Sequence, residues 1–143
     1  MKQEKDQDDL LRLFEGAWLT SPSGNIAYAK VVKRELLIPY SRSEESKLAG
    51  HYFNCNVIGN KLICRFERFE PYAPGILFLR PGPNHTLQGG WCLNENLPQE
   101  FQKDISLIPD DFQKMVHCVW IRMPDAKIPA WVKEYYAKDS PKK

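Results

Sequence analysis

Along most of the chain, apolar residues arrive in short runs broken by turn-forming residues, without a sustained helical period. The runs are 17–20, 26–32, 35–40, 47–57, 61–69, 75–80 and 86–93. Between them lie Ser21-Pro22-Ser23-Gly24, the charged stretch 41–46, Gly59-Asn60, Pro71-Tyr72-Ala73-Pro74 and Pro81-Gly82-Pro83-Asn84. A polar, proline-bearing segment follows, and 115–123 reads as one more strand. Eight short runs at close spacing predict a mainly β fold, an antiparallel up-and-down barrel of about eight strands. Helical patterning is confined to the ends. Asp8 or Asp9 can cap a short helix carrying Leu10, Leu11, Leu13 and Phe14, which Gly16 stops. Pro129 suits the first turn of a closing helix over about 128–138, with Trp131 and Tyr135 four residues apart. The expected organisation is one domain: a barrel over about 16–123, the closing helix, and loose ends at 1–8 and 139–143.

Two hairpins assign faces to the strands. Gly59-Asn60 fits a two-residue turn because both residues tolerate positive φ. The resulting register pairs Val57 with Leu62, Cys55 with Cys64 and Phe53 with Phe66. It collects Phe53, Cys55, Val57, Leu62, Cys64 and Phe66 on one face and leaves Tyr52, Asn54 and Asn56 on the other. The second hairpin joins 75–80 to 86–93, with Leu79 set against Leu87, Leu77 against Gly89 and Gly75 against Trp91. Gly89-Gly90 inside a strand marks a bend, a bulge or a close backbone approach.

Three of these segments form a recognisable series. Leu13-Phe14-Glu15-Gly16-Ala17-Trp18 resembles the opening of calycin-type barrels such as lipocalins and avidins, where a Gly-x-Trp lies on the first strand. Leu48-Ala49-Gly50-His51-Tyr52 and Leu87-Gln88-Gly89-Gly90-Trp91 resemble the later strand starts of the same meanders. The resemblance implies a barrel closed at one end by Trp18, with Arg122 in the role of the late arginine that packs on that indole. The middle loop motif of lipocalins has no counterpart here, and no avidin ligand contact carries over.

Composition narrows the function classes. The chain has 143 residues, with 43% apolar and 27% charged, enough to bury a core without disulfides or metals. Net charge is only +2, so no broad basic field suggests nucleic acid. Arg65, Arg68, Tyr72 and Arg80 are interrupted by Glu67 and Glu70, and Ser140-Pro141-Lys142-Lys143 is a single terminal copy of a minor-groove tetrapeptide. No apolar run is long enough to span a bilayer, and 1–9 lacks the apolar core of a signal peptide. A cytoplasmic location is therefore expected, with Cys55, Cys64, Cys92 and Cys118 reduced.

Enzymatic chemistry has few carriers. No C-x-x-C pair, nucleophile elbow, P-loop or dinucleotide fingerprint occurs, and no metal or cofactor is expected. His51, His85 and His117 lack ligand spacing. His117 and Cys118 are neighbours on a strand, so their side chains point to opposite faces. The acidic pairs Asp8-Asp9, Glu44-Glu45 and Asp110-Asp111 read as solvated surface.

The expected function is non-enzymatic binding of a small, partly apolar ligand inside the barrel. Trp18, Tyr28, Phe53, Phe66, Phe78, Gln88, Trp91 and His117 are the candidate lining, and Thr86 and Tyr40 can also orient a polar group. One alternative is a filled barrel that binds a protein through an edge strand or through Trp131, Tyr135 and Tyr136 of the closing helix. Another is a barrel isomerase or cyclase, which needs an inward ionisable group such as His117 or Glu67.

Overall fold

A computed structural model describes residues 9–43, 45–109, 112, 114–124 and 127–139. The expected loose ends at 1–8 and 139–143 lie outside these residues, except Asp139, which is the last residue of the closing helix rather than part of a loose end. So do Glu44, Asp110 and Asp111 of the acidic pairs. Eight antiparallel strands close into an up-and-down barrel. They are β1 (Gly16–Ser21), β2 (Ile26–Val32), β3 (Glu35–Ser41), β4 (Gly50–Ile58), β5 (Lys61–Phe69), β6 (Tyr72–Pro81), β7 (Thr86–Leu93) and β8 (Val116–Arg122). Each pairs with its chain neighbours, and β8 pairs back onto β1. Closure leaves no sheet edge, so the edge-strand docking mode has no strand to use. A helical turn covers 9–12, α1 spans Gln99–Lys103, and α2 spans Ala130–Asp139.

The Gly59-Asn60 hairpin has the expected register at its tip, with Ile58 opposite Lys61 and Val57 opposite Leu62. Between Phe53 and Asn56 the register slips at a bulge, where Asn54 has a φ of 52°. One extra residue reverses every side chain beyond it. Tyr52 therefore pairs with Phe66 and points into the barrel, while Phe53 pairs with Arg65 and points out. The β6–β7 hairpin keeps its predicted faces but is two residues out of the predicted register. Leu79 faces Gly89, Leu77 faces Trp91 and Gly75 faces Leu93. A β-carbon at Gly89 would lie 1.8 Å from the Phe78 carbonyl oxygen, so of the three options for this glycine pair it is close approach that applies here.

The barrel interior holds the largest apolar cluster, including Trp18, Ile38, Leu62, Phe66, Leu77 and Trp120. Two further clusters sit outside the wall. Ile63, Ile76, Phe78 and Cys92 are covered by Leu97, Phe101, Ile105, Ile108, Phe112 and Met115. Tyr28 is covered by Trp131 and Val132 of α2, with Tyr136 beside them. Strands β3 and β6 are thus buried on both faces, and each reads as an almost unbroken apolar run.

One end of the barrel is sealed by a clasp. The helical turn runs into β1, and its last carbonyl groups need donor partners. The Trp18 indole N–H donates to Phe14 O at 3.0 Å. Arg122 Nη1 donates to Glu15 O at 2.9 Å, and its guanidinium lies 4.3 Å from the Trp18 ring centroid. Trp18 and Arg122 are direct partners across the β1–β8 seam. Gly16, with a φ of 126°, leaves room for this arrangement, since a β-carbon there would lie 2.5 Å from Arg122 Nη1. The packing of Arg122 on Trp18 is the geometry that the calycin resemblance implied.

Candidate functional site

The opposite end of the barrel is open. Its cavity has a volume of about 580 Å³ and is lined on the inside by Tyr40, Tyr52, Phe66, Leu77, Trp91 and Trp120, with Cys118 beside them. The rim is formed by the β1–β2 turn from Ser21 to Asn25, together with Arg42, Arg68 and Glu70. Both cis peptide bonds, Ser21–Pro22 and Glu70–Pro71, lie in turns at this end.

Strand register explains why these side chains meet. Directly paired residues share a face of the sheet. One row runs Ile38, Tyr52, Phe66, Gly75 and Leu93 across β3 to β7. The next row toward the mouth runs Tyr40, Gly50 and Arg68 across β3 to β5. A third runs Cys64, Leu77, Trp91 and Val116 across β5 to β8. Aromatic rings line the space in tilted and edge-on contacts: Tyr40–Tyr52 at 5.1 Å, Tyr52–Trp120 at 5.3 Å and Phe66–Trp91 at 6.2 Å between centroids. Such contacts fix the rings while leaving their faces to a ligand.

The polar groups of the lining include the hydroxyls of Tyr40 and Tyr52 and that of Thr20, which is bonded to Ser23 Oγ at 2.7 Å. Tyr40 is only 6% exposed, yet its hydroxyl has no hydrogen-bond partner among the described residues. The Tyr52 hydroxyl, deeper in the cavity, has none there either. Burial pushes the Tyr40 phenol up to about 12, against an opposing pull from the Arg68 charge. Burial, reinforced by neighbouring Tyr40, pushes Tyr52 well above the ordinary tyrosine range. Both phenols are therefore neutral donors at physiological pH. Burial also raises the Cys118 thiol, to about 11, although the Trp120 side chain favours its ionised form.

The predicted lining divides between the two sides of the wall. Trp18, Phe66 and Trp91 are inside, with Trp18 at the sealed end. Tyr28, Phe53, Phe78, Gln88 and His117 are on the outer face. Tyr28 and Phe78 belong to the external clusters, and the bulge turns Phe53 outward. Gln88 alternates with the inward Leu87, and His117 pairs with Gly90 on the outer side of Cys118. Glu67 is also outside, where its Oε1 accepts a hydrogen bond from His51 Nε2 at 3.0 Å. The two ionisable groups named for an isomerase or cyclase thus do not face the cavity.

The aromatic residues of α2 turn toward the barrel. The Trp131 indole N–H donates to Ser43 O at 3.2 Å, and its ring packs edge-on against Tyr28 at 5.5 Å. The Tyr135 hydroxyl meets His51 Nδ1 at 2.7 Å. The Tyr136 hydroxyl reaches the carbonyls of Tyr28 and Leu37 at 2.9 and 3.0 Å. These groups are used to hold the helix on β2, β3 and β4.

Sequence reasoning missed Tyr52, Trp120, Arg42 and Arg68 as cavity residues. Asn54 was the available signal for Tyr52, because asparagine tolerates the left-handed conformation that a bulge requires. Among the described residues no cluster of His, Cys, Asp and Glu has a metal-binding arrangement. No helix of the described residues is long and apolar enough to cross a membrane. No family model, curated protein or solved structure matches the chain.

Proposed function

We propose that this calycin-like barrel is a non-enzymatic binding protein that holds one small, partly apolar ligand in its open end. The observation that carries the reading is the cavity itself: about 580 Å³, walled by Phe66, Leu77, Trp91 and Trp120, with Tyr40 and Tyr52 also in its lining. That volume lies within the range of small-molecule sites, and an apolar wall with a few placed polar groups is their usual chemistry. A barrel of eight strands either fills its interior or holds one small ligand, and an open cavity of this size supports the second.

Native mass spectrometry of protein purified from its own source, beside a denatured control, tests the proposal. A small molecule seen only in the native spectrum is the expected result. A clean apo mass, together with failure of apolar fluorescent probes to bind, rejects it.

A further inference from the structure

We infer that the mouth of the cavity contains an anion subsite, built by Tyr40 and Arg68 over Gly50, that selects amphiphiles ending in a carboxylate. The inference rests on the binding reading above and specifies the ligand class for the same cavity.

The geometry begins with a row of three residues across three strands. Tyr40 pairs with Gly50, and Gly50 pairs with Arg68. The central position has no side chain, and the tyrosine uses that space. A β-carbon on Gly50 would lie 2.6 Å from the Tyr40 hydroxyl oxygen. The phenol therefore leans over Gly50 toward the strand that carries Arg68. Arg68 is near enough for its charge to act on the phenol, and both residues line the cavity. The Arg68 Nε donates to Pro71 O at 3.3 Å, which ties the side chain to the rim turn. Its terminal nitrogens have no partner among the described residues.

A neutral phenol O–H and a guanidinium lining the same mouth are both donors. They ask for an acceptor, and a carboxylate satisfies both with charge-assisted hydrogen bonds. Tyr52, whose ring centroid is 5.1 Å from that of Tyr40, continues the donor set inward. The apolar surface beyond it, Phe66, Leu77, Trp91 and Trp120, receives the rest of the molecule. Glu70 is the opposing charge at the rim, and Arg42 outweighs it. The mouth has two cationic groups to one anionic group, which favours an anionic ligand end.

The test uses 11-(dansylamino)undecanoic acid and its methyl ester in fluorescence titrations of the full chain. The acid is expected to bind about tenfold or more tightly than the ester, the value of one charge-assisted hydrogen bond. Tyr40→Phe and Arg68→Gln should each weaken the acid by about tenfold and leave the ester unchanged. Glu70→Gln should strengthen the acid alone. Tyr40→Phe removes a hydroxyl without a partner among the described residues, so an unchanged melting temperature confirms that folding is intact. Equal affinity for acid and ester overturns the anion subsite while leaving the binding reading standing. Failure of both compounds to bind overturns both.

Discussion

Arg122→Met is the substitution that isolates the clasp at the sealed end. Methionine keeps an unbranched stem over the Trp18 ring but removes the charge and every donor. Two interactions are lost. The first is the 2.9 Å hydrogen bond from Nη1 to Glu15 O, whose donor is charged, worth about 1.5–3 kcal/mol. The second is the guanidinium–indole contact at 4.3 Å, worth about 0.5–2 kcal/mol. The second bond to the backbone, Nη2 to Leu13 O at 3.5 Å, is too long to add much. Water can reach part of this end and take up some of the freed carbonyl capacity, so the net loss is set near the lower half of that range, about 3 kcal/mol.

In a chain of this size that loss lowers the melting temperature by roughly 10 °C. Urea denaturation should show a lower midpoint with an unchanged slope, because the surface exposed on unfolding is the same. Arg12→Met is the control, since Arg12 is an exposed cation with a 4.0 Å contact to Glu15 and should cost below about 0.5 kcal/mol. A double-mutant cycle with Trp18→Phe separates the ring contact from the hydrogen bonds, with a coupling of about 0.5–1.5 kcal/mol expected. If Arg122→Met is as stable as the parent within about 0.5 kcal/mol, the clasp reasoning is refuted. If the two substitutions are additive, only its cation–π component fails.

Other perturbations reach the remaining parts of the molecule. Spectroscopic titration of the phenols should show Tyr40 ionising near 12, a step that Tyr40→Phe abolishes. Because the folded value lies above the unfolded value of about 10, the associated stability is complete below pH 10 and falls as pH rises toward 12, by up to roughly 3 kcal/mol. A flat stability profile over that window contradicts the buried phenol. Thiol labelling at pH 8 should modify Cys55 first, since Cys64, Cys92 and Cys118 are buried with raised thiols. Prompt labelling of Cys118 in folded protein would argue against that placement. Phe78→Ala should cost about 3–5 kcal/mol while leaving probe binding unchanged, because the ring is only 6% exposed yet lies outside the wall. A loss of probe affinity without a loss of stability would place Phe78 in the cavity instead.

Strand existence, strand order and the β4–β5 hairpin tip were legible because turn chemistry is local, whereas the longer β6–β7 turn left its register two residues out. Gly59-Asn60 needs only its own two residues to set Ile58 against Lys61. The direction in which aromatic residues point was less legible, for two different reasons. Along β4, alternation held until Asn54, where one left-handed residue exchanged Phe53 for Tyr52. The apolar pattern gave both residues equal claim to the interior. Along β2 and β6, outward aromatic residues are buried too, by α2 and by the apolar residues between Leu97 and Met115. An element covered on both faces has no polar side to mark the outside. The seam was easier. Trp18 and Arg122 are distant in sequence but chemically specific, and their contact agrees with the resemblance that suggested it.

The external clusters also bear on how an open cavity is compatible with a stable fold. Removing side chains to leave 580 Å³ dry would cost about 14 kcal/mol at roughly 24 cal/mol per Å³, comparable with the entire stability of a domain. The cavity opens at its rim, so solvent or ligand shares the space and that penalty is not incurred in full. What remains is the loss of inward packing near Tyr40 and Tyr52. Burial is recovered on the far side of the same strands, where Leu37 lies under α2, and Ile63 and Ile76 lie under the segment after β7. The packed scaffold is then the sealed end and the outer covers, and the open end is left for the proposed ligand. The same division predicts that substitutions lining the mouth, such as Tyr40→Phe, alter affinity with little effect on stability, while those at Arg122 or Phe78 do the reverse.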